Sequence, residues 1–329
     1  MSQTPSVSVV ITTYNQASYI GPALDSVFAQ SRTPAEVIVV DDGSTDDTPE
    51  RIAPYRDRLV YIRQPNQGVA QARNTGVRTA RGDLLAFLDG DDLWESEKLA
   101  RQVAAACAHP DSGLIAVNGV QFSETRLTRE SLFPSPIARL FDGGVDSVCV
   151  DASPYFLRAC VVSTTSQAMI PARMLEAVGL SDPHLALVSD WDLYLRIAER
   201  YPVTFVNQRL TRWRYHEKSA SGPALSRDVR WGEDGIHMLA KHVQRAAPER
   251  RRLVRASLRS KVFMTAQAAY YLVESGERDL GLKSLRRLLS WSRVSMAPAV
   301  FLAAAYSPAW LRRSLGGVAR TVLKVGRSV

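Results

Sequence analysis

Short unbroken apolar runs alternate, in the front part of the chain, with stretches whose apolar residues recur every three or four positions. Val7–Ile11 (VSVVI), Val37–Val40 (VIVV), Leu59–Ile62 and Leu84–Leu88 (LLAFL) are of the first kind and predict four strands. Tyr19–Gln30, Asp46–Tyr55 and Gly68–Thr79 are of the second kind and predict helices; Ser44 or Thr45 is the expected N-cap of the middle one. Strands without polar alternation are buried on both faces. The pattern therefore predicts an α/β fold, a mainly parallel sheet flanked by helices. Three of the runs end in polar clusters, TTYN, DDGS and DGDD. Ligands bind beyond the carboxyl ends of strands in such sheets, so these clusters mark the expected site.

The regular pattern then loosens. Glu97–Ala108 reads as a helix and Leu114–Val120 as a strand, whereas Gln121–Tyr155, with Pro134, Pro136 and Gly143–Gly144, reads as a long irregular loop. Ala168–Val178 resumes regular structure, Trp191–Arg200 is an amphipathic helix, and Val203–Val206 is a short strand. From Leu225 onward the pattern is helical, with arginine-rich faces. This change divides the chain into residues 1–224, whose halves meet near 120, and a basic helical region 225–329.

Charge reinforces that boundary. The net charge of +8 resolves into +13 for residues 225–329 and −5 for the rest. An 18-residue charge-free run, Val294–Leu311, contains Pro298 and Pro308, which suits a peripheral helix or buried hairpin better than a bilayer span. Arg312, Arg313, Arg320 and Lys324 beside it suit anionic lipid head groups, making a membrane surface a candidate partner; a soluble helical lid is the other reading. No nucleic-acid-binding motif accompanies the charge, so no nucleic-acid partner is expected. Three cysteines without metal-ligand spacing, and a polar Met1–Pro5, suit a cytoplasmic protein, soluble or peripheral at the inner face of the membrane.

Three carboxylates in the four residues Asp89–Asp92 repel one another unless something cationic lies among them. A hard divalent cation takes one or two carboxylates together with phosphate oxygens and water, which makes Asp89 and Asp91 candidate ligands; a solvated acidic turn is the alternative. Asp42 at its strand tip could accept a hydrogen bond from a base or sugar, or cap the next helix. Tyr14 could stack on a base, with Thr12 or Thr13 bonding it, or simply pack at the sheet edge.

Taken together, VSVVITTYNQASYI, VIVVDDGSTDDT, QPNQGVAQARNTGVRTARGDLLAFLDGDDLW and SDWDLYLRIA resemble glycosyltransferase family 2, the inverting enzymes of the GT-A fold, in order and spacing. The resemblance covers about the first 220 residues. It implies a GT-A catalytic domain over 1–224, with a nucleotide-sugar half (1–120) and an acceptor half (121–224), followed by the helical extension. It implies a nucleotide-sugar donor, a saccharide or lipid-linked acceptor, and Mn²⁺ or Mg²⁺. Thr12, Thr13, Tyr14 and Asp42 look like nucleotide contacts, with Thr12 where the family usually has proline. Arg73 looks like a base- or phosphate-side contact, and Asn66 and Gly68 line the same loop. DGDD matches the family's DxD motif, with Asp89 toward the ribose or a metal-bound water and Asp91 on the metal. Asp92 is expected to orient or cap the following helix. Asp190 looks like the catalytic base, with Asp192 its competitor and Ser189 where the family often has glutamate. His216, in RWRYHEKSASG, is expected to complete the metal or diphosphate site. Single-sugar transfer, with a UDP-sugar as donor, in surface-polysaccharide synthesis is the implied function. A haloacid-dehalogenase-like phosphatase shares the apolar-strand–DxD signature, but gives TTYN and DDGST no role. A degenerate scaffold of the same fold is the non-enzymatic alternative, kept open by Ser189 and the basic tail.

Overall fold

The computed structural model describes residues 4–124, 126–216, 219 and 229–306. Two compact units divide the chain, Met1–Ser219 and Ala220–Val329. The first follows the strand–helix alternation of the sequence: β1 (Val7–Thr13), α1 (Ile20–Phe28), β2 (Glu36–Asp41), α2 (Thr48–Ile52), β3 (Val60–Arg63), α3 (Val69–Thr79) and β4 (Leu84–Asp89). It continues through β5 (Leu93–Trp94), α4 (Lys98–Ala108), β6 (Leu114–Ser123), β7 (Arg126–Arg129), α5 (Ser135–Ala138), β8 (Ser147–Val150) and α6 (Ser153–Arg158). The unit closes with β9 (Ala168–Pro171), α7 (Ala172–Val178), α8 (Ser189–Ala198) and β10 (Val203–Arg214).

One sheet gathers these strands in the order β3-β2-β1-β4-β9-β6-β10-β5, with β7 paired to β6 and β8 to β10. The β3-β2-β1-β4 half is wholly parallel, as the apolar runs predict. The other half is mixed, because β9 inserts antiparallel between β4 and β6. Only the first half is a mainly parallel sheet. The reason is local: β9 is four residues long and reaches the sheet from a tight turn instead of a crossover helix. Val9, Ile11, Val39, Ala86 and Leu88 share one core with Leu24 and Val27 of α1.

Several boundaries moved. Gln121–Tyr155 is not a loop: it contains β7, α5, β8 and the start of α6, and β8 bonds antiparallel to β10. Prolines and glycines punctuate short elements there and do not abolish them. The strand expected at Val203–Val206 runs on to Arg214, with register irregularities near Arg209 that let a polar stretch stay paired with β6. Helix α2 is short and has Asp47 at its N-cap with no side-chain cap; Asp46 instead accepts from the Thr48 amide and hydroxyl.

In the second unit the described helices are α9 (Arg230–Arg245), α10 (Pro248–Glu274), α11 (Arg278–Leu288) and α12 (Ala297–Tyr306). Among the described residues no helix is long and apolar enough to cross a membrane. Pro308, Leu311, Arg312, Arg313, Arg320 and Lys324, invoked from the sequence, lie outside the described residues.

Gly76 lets α3 lie flat on β1 and β2. A Cβ there would overlap the Val10 side chain and touch Val40. Gly76→Ala is therefore expected to lower stability by about 1–3 kcal/mol despite its better helix propensity, read as a fall in the denaturation midpoint.

Candidate active site

The parallel half of the sheet ends its strands together, and their polar tips form one edge of the site. Thr12 and Thr13 are buried at the end of β1, with the Thr13 hydroxyl donating to Gln16 Oε1 at 2.9 Å, while Tyr14 is 46% exposed. Asn15 takes a positive φ of 53°, a conformation asparagine tolerates, and its Oδ1 accepts from the Thr45 amide at 2.7 Å. This brings the first and second tips together. Asp42 is nearly inaccessible, and it is not a helix cap. Its Oδ1 accepts from Gln64 Nε2 (2.7 Å) and the Gln67 amide (3.0 Å), and its Oδ2 from the Gly68 amide (2.8 Å). The carboxylate thus holds the 64–68 loop against the sheet; Asn66 and Gly68 are exposed on that loop, Gly68 with φ of 86°.

The DGDD turn resolves into three different carboxylates. Asp92 is 1% exposed and organises the structure around it. Its Oδ2 accepts from Ser166 Oγ (2.6 Å) and Thr164 Oγ1 (2.9 Å), and its Oδ1 from the Arg214 amide (2.8 Å). Burial, with the charges of Asp91 and Asp89 beside it, pushes its pKa well above the ordinary carboxylate range. Asp92 does not cap α4, whose N-cap is Glu97. The expectation fails because its donors come from residues 72 to 122 positions away, which no local pattern reveals. Gly90 packs tightly in this turn: a Cβ there would stand 3.0 Å from Thr13 Cβ and 2.5 Å from Gln16 Oε1, so the Gln16 side chain would have to move.

Asp89 faces inward. Its Oδ2 accepts from Thr165 Oγ1 (2.8 Å) and Thr164 Oγ1 (3.2 Å), and its Oδ1 lies 3.6 Å from Arg73 Nη2. Arg73 is buried and also donates to Thr165 Oγ1 at 3.1 Å. It therefore sits in the floor of the site with Asp89, not out at the 64–68 loop. The 164–166 turn was not visible as a site element in the sequence. Its only signal is the consecutive hydroxyls of Ser163, Thr164, Thr165 and Ser166.

Asp91 and His216 are 125 residues apart in the chain, yet Asp91 Oδ2 lies 3.1 Å from His216 Nε2. The His216 ring is stacked on Tyr19 at 4.7 Å, and the Arg214 guanidinium lies 5.0 Å over the same Tyr19 ring while its Nε donates to the Asp91 carbonyl. One carboxylate and one imidazole held at one point are donors a divalent cation accepts. Among the described residues no group of three or more such side chains forms a cage, so a cation here would need oxygens from a phosphate or water as well. The pair fits that role.

Asp190 and Asp192 separate cleanly. Asp192 is buried and paired with Arg196 at 2.8 Å; Arg196 in turn donates to the carbonyls of Val178, Gly179 and Leu180. That cluster fastens α8 to the end of α7. Asp190, in the first turn of α8, is only partly buried, and its Oδ1 accepts the Trp191 amide at 2.7 Å. Burial raises its pKa, and the Arg73 guanidinium opposes the rise. Tyr194, one turn on, is 1% exposed, and its hydroxyl has no hydrogen-bond partner among the described residues. Burial and the Asp190 charge push that phenol well above its ordinary range.

Residues 8–160 match the model of Glycosyl transferase family 2. Among curated relatives, an uncharacterized glycosyltransferase of Rickettsia typhi is 27% identical over 222 residues, 68% of each chain. The Bacillus subtilis protein TuaG, described as a teichuronic acid biosynthesis glycosyltransferase, is 37% identical over 139 residues, 39% of this chain and 55% of that one. Among solved structures, residues 1–349 of S. aureus TarS in complex with UDP superpose with a TM-score of 0.56 at 17% identity, covering 91% of this chain and 90% of that one. The mannosyltransferase PcManGT of Pyrobaculum calidifontis, in complex with GDP-Man and Mn²⁺, gives 0.57 at 21%, covering 98% and 81%. These structures establish the GT-A fold.

The two aspartates of α8 predict opposite mutant behaviour. Asp192→Ala removes the carboxylate partner of Arg196, which keeps its carbonyl bonds, and should cost about 1–3 kcal/mol in a chemical melt, whereas Asp190→Asn should leave the melt nearly unchanged. Tyr194→Phe removes a buried hydroxyl that bonds nothing among the described residues, so its melting temperature should stay level or rise.

Proposed function

Because the chain belongs to glycosyltransferase family 2, we propose that it transfers a single sugar, with inversion, from a UDP-sugar to a saccharide or lipid-linked acceptor in surface-polysaccharide synthesis. The observation that carries this reading is the convergence, beyond the end of β4, of Asp91 Oδ2 with His216 Nε2 at 3.1 Å and of Asp89 with the buried Arg73 and the 164–165 hydroxyls. The kinship with TuaG supports the polysaccharide setting, and the UDP complex of TarS supports the donor type.

The roles follow from exposure and pairing. Tyr14, exposed at the tip of β1, stacks on the base, a contact of about 1–3 kcal/mol where measured in other proteins. Thr12 and Thr13 shape that tip, and Asp42 holds the 64–68 loop, with Asn66 and Gly68, as the opposite wall. Asp89 orients the ribose side. Asp190 is the general base: among the described residues it makes no ion pair like that of Asp192 with Arg196, and it removes the proton from the acceptor hydroxyl as that oxygen attacks the anomeric carbon. The Arg73 charge opposes the effect of burial on Asp190. Asp91 and His216, together with diphosphate oxygens and water, would hold Mn²⁺ or Mg²⁺. Such a cation would neutralise the departing diphosphate. A lipid-linked acceptor places the work at an anionic membrane face on the cytoplasmic side.

Calorimetric titration with UDP, with and without Mn²⁺, tests the reading. Binding should be tighter with metal, and Asp91→Ala should remove the difference; no binding in either condition would refute the donor class. Asp190→Asn should leave UDP binding intact and cut donor turnover by roughly 10²–10⁴-fold. The acid limb of kcat/KM should lie above the ordinary carboxylate range. Burial favours protonated Asp190, so activity is lost as pH falls through that raised pKa and is full above it.

A further inference from the structure

The helical unit carries a surface whose chemistry the transfer reaction does not use. On α10, Arg252, Arg255 and Arg259 are all exposed. Eleven residues make about three helical turns, so Phe263 continues the row of Arg252, and Tyr270 that of Arg259. Phe301 of α12 stacks on Tyr270 at 5.4 Å and packs against Phe263 at 6.0 Å. Helix α12 thus lies on the row that the arginines begin. Its sequence, APAVFLAAAY, holds no charge. Its outer side exposes Val300 (53%) and Tyr306 (54%), and Met296 (65%) stands just before it. Along the near flank of α10, Leu253, Met264 and Tyr271 are exposed as well.

We propose that this face, the arginine row of α10 followed by the uncharged α12, docks on an anionic lipid bilayer. The proposal rests on the membrane reading of the function and assigns it a surface. An uncharged helix showing methionine and valine to water gains by entering the acyl–headgroup boundary, and guanidinium groups pair well with lipid phosphates. The net charge of +13 over residues 225–329 is complementary to an anionic leaflet. A polyanion such as nucleic acid would satisfy the arginines and leave α12 exposed, so lipid fits the whole face. No described helix is long and apolar enough to cross a bilayer, so the contact is with its surface.

Flotation of the full chain with vesicles tests this without any turnover assay. Phosphatidylcholine vesicles containing phosphatidylglycerol should carry the wild-type protein upward, and pure phosphatidylcholine should not. The triple variant R252E/R255E/R259E should partition roughly a hundredfold more weakly. The pair Met296→Ser and Val300→Ser should float poorly even at low salt, which keeps the test valid if the arginine variant misfolds. Wild-type protein that floats with no vesicle, or variants that float as well as wild type, would overturn the proposal. Retention on heparin without flotation would point to a soluble polyanion and overturn it too. UDP titration of the same samples reads the catalytic assignment separately, so either can fail alone.

Discussion

The buried carboxylate of Asp92 is the constraint on which the site depends. It receives the 164–166 turn on one oxygen and the end of β10 on the other, and it sits in the turn that ends β4. Three segments far apart in sequence are thereby fixed around one group. Its raised pKa reflects how much its neighbours' charges and its own burial disfavour ionisation, and the three donors are what offset that cost. Other contacts reinforce the same arrangement: Arg214 Nε donates to the Asp91 carbonyl beside His216, and the Asp89 amide donates to Ser166 Oγ beside the Thr164–Thr165 hydroxyls.

Around that pillar the acidic turn divides its labour. Asp92 is structural, Asp89 is turned toward Arg73 and the hydroxyl turn, and Asp91 faces the imidazole. The same separation occurs on α8, where Asp192 is locked by Arg196 and Asp190 is not. In both places adjacent identical residues differ in role because their partners differ. Buried Lys98 belongs to the same scaffold: its Nζ lies 3.8 Å over the Trp94 ring and donates to Gln102, and Trp94 bonds the Ser166 carbonyl. Burial drives that amine well below its ordinary range.

Much of the parallel half was legible from the chain, because hydrophobic periodicity and strand-end polarity are local signals. The positions of Tyr14, Asp42, Asp89 and Asp91 at strand tips needed nothing more. What the chain concealed is what comes from elsewhere. The antiparallel β9, the elements within Gln121–Tyr155 and the full reach of β10 are short or polar, and they are held by neighbours instead of by their own pattern.

The amino-acid sequence by itself determined the order of strands and helices in the parallel half, the basic character of the final third and which residue types stand at the strand ends. The tertiary structure alone decided which of three neighbouring aspartates is buried, which faces an arginine and which faces a histidine. It also replaced an expected helix cap at Asp92 with a long-range anchor. The physical reason is that a carboxylate's role is set by the donors around it, and these donors arrive from 72 to 125 residues away.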